Sequence, residues 1–342
     1  MSNNDYNWRP WHLPEHLHVT NWITFAAARM IRRRDPPRPS FWHVSYTHPH
    51  PPLVPLASYV ERYRSRPIDE PVVGDWARDP SQLPYALQVT RTYWEELRPD
   101  RLADARRAAY ALCTHIDHQI RILIGSLREE AVLDNTIILI TADHGDMLGN
   151  HGFYAKRLMY EGSANTPMIL IDVTGSARVP SGAVDRRLVG LQDIMPTLLD
   201  LAGLPIPASC EGLSMAASER RAYLYGEAMV GAKATRMIHD GRYKLIWYPA
   251  GNQLQLIDLE TDHHERVDRS NDPGLADIRA RLSAELVRQL YGADLAWVED
   301  GRLIGMPAPA LHARPNRDLH GQRGLHYPPV PISDARTVVG AG

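Results

Sequence analysis

The chain has 342 residues with 38 basic and 40 acidic side chains, a net charge of -2. That balance supplies neither a basic surface for nucleic acid nor a polybasic patch for a membrane. With 44% apolar and 23% charged residues, the chain fits a globule able to bury a sizeable core. No apolar run is long enough to span a bilayer. The first thirty residues carry Asp5, Arg9, His12, Glu15, His16 and His18 where a secretion signal needs an unbroken apolar stretch, and no N-x-S/T sequence occurs, so a cytoplasmic location is expected. Cys113 and Cys210 form no C-x-x-C pair, which argues against a zinc knuckle or a thioredoxin-type redox site. Nearly all positive charge is arginine; the lysines are Lys156, Lys233 and Lys244.

Residues 1–20 are rich in Trp, Pro and His and have no clear period. Trp22, Ile23, Ala26, Ala27, Met30 and Ile31 then recur at helical spacing, which predicts a helix over 21–34, closed by arginines and stopped by Pro36. The aromatic and β-branched run 41–46 predicts a strand that enters the proline-rich T-H-P-H-P-P of 47–52. Residues 53–100 read as an irregular surface excursion. Ala109, Leu112, Ile116, Ile120, Leu123 and Leu127 predict a helix over 104–127. The unbroken apolar run 136–140 predicts a strand buried on both faces, ending in T-A-D-H-G-D, and 167–173 predicts another. A helix follows within 189–203, with Gly203 as its stop.

After about residue 205 the character changes. Short strands are predicted at 223–225, 236–238, 243–248 and 254–259, with Asp240-Gly241 as a hairpin turn and a helix over 275–291. The tail from Met306, rich in Pro, Arg and His, reads as irregular surface chain. The pattern predicts an α/β fold: a largely parallel sheet sandwiched by helices, then a smaller antiparallel sheet with a packed helix.

Ligands of such sheets gather at the carboxyl ends of the strands, and both polar clusters follow predicted strand ends. Asp143 and His144 pair a carboxylate with an imidazole, which suits Ca²⁺, Mn²⁺ or Zn²⁺; a polar strand end with an Asx-turn is the alternative. His48 and His50 lie in a loop stiffened by prolines, which can hold an imidazole in place or simply display two surface histidines. Lys156 offers a point charge for a tetrahedral anion, or a solvated partner for Glu161.

The stretch D-N-T-I-I-L-I-T-A-D-H-G-D-M-L-G-N-H-G-F-Y-A-K-R-L-M-Y-E-G-S-A-N-T-P-M-I-L-I-D-V, Asp134 to Val173, closely resembles the sulfatases of the alkaline-phosphatase superfamily. Further motifs agree in the family's order: F-W-H-V-S-Y with T-H-P-H-P-P, I-D-H-Q-I, L-Q-D-I-M-P-T-L-L-D-L-A-G-L-P, R-M-I-H-D-G-R-Y-K-L-I-W-Y and L-I-D-L-E-T-D. The resemblance covers nearly the whole chain. It implies a partial catalytic domain over 1–205 and a C-terminal subdomain with its tail over 206–342. Asp143 and His144 would be metal ligands, with Ca²⁺ the expected ion and Mn²⁺ or Zn²⁺ the alternatives. His50 would contact the sulfate or the leaving-group oxygen, Lys156 would bind a sulfate oxygen, and His151 would be a weaker substrate-side candidate. His48 has no counterpart.

Two family features are absent from the sequence. No C-x-P-S-R occurs, whose cysteine becomes the formylglycine nucleophile, and no Asp-Asp pair occurs to complete a metal site. Both belong ahead of the 41–46 strand in the family, so a truncated chain or a mis-assigned start is expected, and a missing leader would qualify the cytoplasmic expectation. A strand at 136–140 without its neighbour would expose an apolar edge. The implied activity is metal-dependent hydrolysis of small-molecule sulfate esters, inactive in this chain as it stands. Hydrolysis of phosphonate monoesters or phosphodiesters, an inactive binding or scaffold protein, and a non-functional remnant are the alternatives. No nucleic-acid partner is expected, and the sequence leaves the oligomeric state open.

Overall fold

A computed structural model describes residues 6–93, 97–174 and 178–311. The first helix, α1 (Val19–Arg32), starts at His18, whose Nδ1 accepts the Thr20 N–H at 3.2 Å and so caps an otherwise orphan donor. Thr20, Thr24, Ala27, Ala28 and Ile31 fall at helical spacing and are buried. This helix packs on α4 (Pro99–Glu129), as does the short α2 (Ala57–Arg64). Pro99 opens α4, where a missing N–H costs nothing. Buried Ala105, Ala108, Ala109 and Ala111 keep its inner face small, so its neighbours approach closely. A second short helix, α3 (Tyr85–Thr92), follows Pro84. Both short helices lie in the stretch read as irregular. Each has eight residues, too few for an apolar period to stand out among the prolines.

Strand β1 (Ile137–Thr141) pairs with β2 (Met168–Asp172) in antiparallel register, Ile137 opposite Asp172 and Thr141 opposite Met168. The α/β class holds. The expectation of a largely parallel sheet is met, among the described residues, by this antiparallel pair alone. The reason is the connection: a parallel neighbour needs a crossover, usually a long helix, and the only α-helix between these strands is the four-residue α5 (Glu161–Ala164). An apolar run carries no information on strand direction, and Ile137–Thr141, expected to be buried on both faces, is only half-buried. Residues 41–46 alternate between exposed and half-buried, yet among the described residues they join no ladder. Pro39 and Pro49 close the segment on both sides, and the Tyr46 hydroxyl bonds Thr24 Oγ1 at 3.0 Å instead of the segment entering a sheet. Helix α6 (Ile194–Leu201) ends as expected, with Gly203 at φ +69° and the Leu204 N–H on the Leu199 carbonyl at 2.8 Å.

The second layer is an antiparallel sheet of β3 (Leu224–Ala228), β4 (Thr235–His239), β5 (Tyr243–Tyr248) and β6 (Gln253–Asp258), in that spatial order. The β4–β5 turn is Asp240-Gly241: the Asp240 carboxylate accepts the N–H groups of Arg242 and Tyr243, and Gly241 takes φ +98°. Helix α7 (Ala276–Gln289) lays Leu282 and Leu286 on Ile238, Leu245, Trp247 and Leu256. Most of the tail read as irregular, 312–342, lies outside the described residues.

The other face of this sheet meets the segment that links β1 to β2. Met147, Phe153, Leu158, Met159 and Tyr160 form one core cluster with Met237, Ile246 and Tyr248. The Tyr160 and Tyr248 hydroxyls both bond Gln255 Oε1, at 2.6 and 2.8 Å. Beside them Lys244, almost fully buried, donates to the Met159 carbonyl at 3.0 Å, to Glu265 at 2.9 Å and to the Glu161 carboxylate. Burial alone would lower the lysine's pKa, but Glu265 and Glu161 hold it above its ordinary value. Replacing Lys244 by Met is expected to destabilise the fold by about 3 kcal/mol, because the buried Glu265 and the half-buried Glu161 lose their cation. Denaturant melts test this. Adding Glu265→Gln should recover part of the loss, and a Lys244→Met variant that melts like the parent would remove the clamp from the account.

Candidate active site

The site grows from the segment between β1 and β2. Asp143 follows the strand and is exposed. Its Oδ1 accepts the His144 N–H at 3.0 Å, and its Oδ2 lies 3.3 Å from His144 Nε2. His144 Nδ1 lies 2.7 Å from the Gly145 carbonyl. A carbonyl oxygen only accepts, so Nδ1 carries the proton and a neutral ring has a lone pair at Nε2. A carboxylate oxygen and an unprotonated imidazole nitrogen then face each other. That arrangement asks for a proton or a cation between them, and Nδ1 tied to a carbonyl is how metal-binding histidines are usually held. The donor chemistry therefore fits a divalent ion. It is also incomplete: among the described residues no group of three such side chains converges.

Gly145 is dictated by space. A Cβ there would stand 2.2 Å from the Gly162 carbonyl oxygen. The Gly145 N–H bonds the Ser163 carbonyl at 2.8 Å, which brings the two ends of the segment together beside His144. Asp146 closes the loop from within. Its carboxylate accepts the Tyr6 hydroxyl at 2.5 Å and the N–H groups of Leu148 and Ala155 at 2.9 and 3.1 Å. The Met147 N–H bonds the Ala155 carbonyl at 2.8 Å, so Lys156 is held close along the chain path to His144.

Lys156 Nζ lies 2.9 Å from His50 Nε2. His50 Nδ1 lies 2.6 Å from the Pro51 carbonyl, which assigns the proton to Nδ1 and leaves Nε2 to accept from the ammonium. Two residues from separate sequence signals thus meet, and the loop from Asp146 to Ala155 connects them to the Asp143–His144 pair. His151 does not join them. It is buried against Trp76 and Tyr160, and its Nδ1 accepts the Gly74 N–H at 3.1 Å. Burial takes its pKa to about 4. Its place is under the loop, pinning the Gly74 turn. Asp146, Tyr6 and Gly145 were missed as organisers of the site. Asp146 stands three positions after Asp143 and was legible as a second loop carboxylate; nothing in the sequence marks Tyr6.

His48 anchors the loop that carries His50. It packs on His18, ring centres 5.0 Å apart, and His18 packs on His115 at 4.8 Å. These rings do not form a metal centre, because His18 spends one nitrogen on the Thr20 N–H and the other on the Val54 carbonyl. Burial, with His18 beside it, lowers His48 to about 4, and burial does the same to His115, whose two ring nitrogens have no hydrogen-bond partner among the described residues.

Comparison with known proteins identifies the family of the chain. The sulfatase family model matches residues 1–204, and the model of the N-sulphoglucosamine sulphohydrolase C-terminal region matches 149–291. The chain belongs to the sulfatase family. It is 34% identical over 310 residues to an arylsulfatase of Clostridium perfringens, covering 89% of this chain and 64% of that protein. To a choline-sulfatase of Rhizobium meliloti it is 30% identical, covering 72% of this chain and 49% of that one. The chain thus spans less than two thirds of the length of these relatives. The fold is also that of the phosphonate monoester hydrolase of Silicibacter pomeroyi, with a TM-score of 0.71 at 23% identity, covering 90% of this chain and 70% of that one.

The buried histidines generate a pH prediction. His48, His115 and His151 sit near 4 in the fold against an ordinary 6.5, so the unfolded chain takes up protons first. Their stability is present above pH 6.5 and is lost as the pH falls toward 4. Thermal melts across that window should show the loss. In His115→Phe the slope should flatten while the pH 7 stability changes by no more than about 1 kcal/mol, since no hydrogen bond is removed. A variant as acid-sensitive as the parent would assign the slope to other groups.

Proposed function

We propose that this chain is the anion-binding and metal-binding part of a sulfatase-type hydrolase of small-molecule sulfate esters, and that residues 1–342 do not by themselves turn the ester over. The observation that carries the reading is the 2.9 Å contact between Lys156 Nζ and His50 Nε2. An ammonium next to an imidazole lone pair, in a loop braced by Asp146, places a proton-bearing cation where an ester's anionic oxygens can accept from it. Lys156 binds one of those oxygens. His50, its Nδ1 held by the Pro51 carbonyl, turns Nε2 toward the same region, where that nitrogen can share a proton with the ester. Asp143 and His144 would hold the divalent cation, Ca²⁺ in first place and Mn²⁺ or Zn²⁺ by virtue of the imidazole. Bound there, the ion supplies positive charge against the anionic group.

Sulfate is favoured over phosphonate because the relatives at 34% and 30% identity are an arylsulfatase and a choline-sulfatase. The absence of a C-x-P-S-R sequence leaves no activated nucleophile in these residues. Equilibrium binding of an aryl sulfate tests the anion site. Lys156→Ala should weaken it about tenfold to a hundredfold, the range of a charge-assisted hydrogen bond at ~1.5–3 kcal/mol. Unchanged affinity would sink the assignment, and robust turnover by the chain alone would overturn the claim that it lacks a nucleophile. Calorimetry with Ca²⁺ should show only weak binding, lost in Asp143→Asn, since such ions take about six to eight oxygen ligands. Tight binding would mean that other residues complete the site.

A further inference from the structure

We propose that Tyr6 is a positioning residue for the Lys156–His50 pair, acting from a segment, residues 6–11, that ties together the two loops carrying these side chains. The proposal rests on the functional reading for what the pair binds, and on geometry alone for how the pair is held.

Three observations carry it. First, the backbone on both sides of Lys156 is left-handed: Ala155 has φ +60° and Arg157 φ +75°. Residues with a side chain rarely adopt this region, and two of them flanking one lysine persist only where the surroundings impose the conformation. Second, the Ala155 N–H donates to the Tyr6 hydroxyl at 2.8 Å and to Asp146 Oδ1 at 3.1 Å, and the Ala155 carbonyl accepts the Met147 N–H at 2.8 Å. The Tyr6 hydroxyl donates in turn to Asp146 Oδ2 at 2.5 Å, so Tyr6, Asp146 and Ala155 close a ring of hydrogen bonds. Tyr6 is buried in one cluster with Leu53, Ala105 and Tyr154, its ring centre 5.2 Å from that of Tyr154. A hydroxyl on a packed ring is a fixed point, which a solvated one is not. Third, the same segment reaches the loop of His50. Trp8 bridges Leu53, the Arg9 N–H bonds the Leu53 carbonyl at 3.1 Å, and the Trp11 N–H bonds the Pro55 carbonyl at 2.8 Å.

Lys156 and His50 stand 106 positions apart, and their 2.9 Å contact requires two loops held at a set distance. Residues 6–11 bond to both: by backbone to 53–55, just after the His50 loop, and by the Tyr6 hydroxyl to Ala155. The lead of the chain, which shows no period, thus sets the spacing of the ammonium and the imidazole. Removing the hydroxyl takes one of two acceptors from the Ala155 N–H and the donor from Asp146 Oδ2. The turn then relaxes toward negative φ, which swings Lys156 off His50. Burial and the neighbouring Asp146 raise the Tyr6 pKa well above its ordinary value, so the hydroxyl keeps its proton and both of its roles near neutral pH.

Tyr6→Phe keeps the packed ring and removes only the hydroxyl, and two readouts on the full chain test it. Nitrogen-15 NMR of the His50 ring reads whether Nε2 accepts a hydrogen bond, with no ligand present. In Tyr6→Phe that signal should move toward its position in Lys156→Ala, where the contact is gone. Equilibrium binding of an aryl sulfate should weaken about threefold to tenfold, the loss of one hydrogen bond. Ala155→Gly makes a positive φ unstrained, and added to Tyr6→Phe it should return both readouts toward the parent; a hydroxyl that only stabilises the fold gives no such rescue. Tyr154→Phe removes a hydroxyl of the same cluster that takes the Leu97 N–H, and should change neither readout. A parent-like His50 signal in Tyr6→Phe would overturn the proposal. So would an equal effect of Tyr154→Phe, or no rescue by Ala155→Gly. A moved signal in a chain whose parent has no affinity for an aryl sulfate would keep the positioning role and remove the hydrolytic reading. Affinity that falls in Lys156→Ala but not in Tyr6→Phe, with the signal unmoved, would do the reverse.

Discussion

Lys244 is the point on which the arrangement turns. It is one of three lysines in a chain that otherwise uses arginine, and it lies inside the protein between Glu161 and Glu265. Taking three ionisable groups out of water is costly, and the cost is met only when the geometry satisfies all of them. Here it is largely met: the ammonium has two carboxylates and a carbonyl, and the other Glu265 oxygen accepts the Glu161 N–H at 2.7 Å. Burial raises the Glu265 pKa, while for Glu161 the lysine outweighs burial and lowers it. The cluster ties the C-terminal sheet to the segment that begins with Asp143. The C-terminal sheet is thus the floor on which the site loop rests.

From that floor the loop is organised by backbone accounting. Asp146 takes three donors, and the glycines at 145 and 162 let the chain pass within contact distance of itself. The two candidate functional histidines are then set by the same device. His50 and His144 each give Nδ1–H to a neighbouring carbonyl, at 2.6 and 2.7 Å, which leaves Nε2 to face the site. One Nε2 meets an ammonium and the other a carboxylate. The first pairing suits an anionic substrate, the second a cation, and the two kinds of charge are what hydrolysis of an anionic ester needs from its surroundings.

The N-terminal helices show the opposite balance. α1 buries Thr24, Ala28 and Ile31 but leaves Trp22, Phe25 and Met30 largely exposed. His48 and His115 lie in tilted ring contact with His18, and both ring nitrogens of His115 and the Nδ1 of His48 have no hydrogen-bond partner among the described residues. The sheet around Trp247 and Tyr248 is closely packed, whereas the buried unsatisfied side-chain polar atoms lie in residues 20–119 among the described residues.

The sequence by itself determined the elements whose signals are local. The long period of α4, the apolar run of β1, the Gly203 stop and the Asp240-Gly241 turn all lie where it predicts, because spacing, apolar runs and positive φ are properties of a few adjacent residues. It also named His50, Lys156, Asp143 and His144. Only the tertiary structure decided that Lys156 touches His50, that β1 and β2 run antiparallel, and that residues 41–46 join no ladder among the described residues. It also decided that His151 supports the loop from below and that Tyr6 reaches Asp146 from 140 positions away. Those facts depend on which surfaces meet, and a meeting between distant residues is fixed by packing and by the placement of buried polar groups, neither of which leaves a period in the sequence.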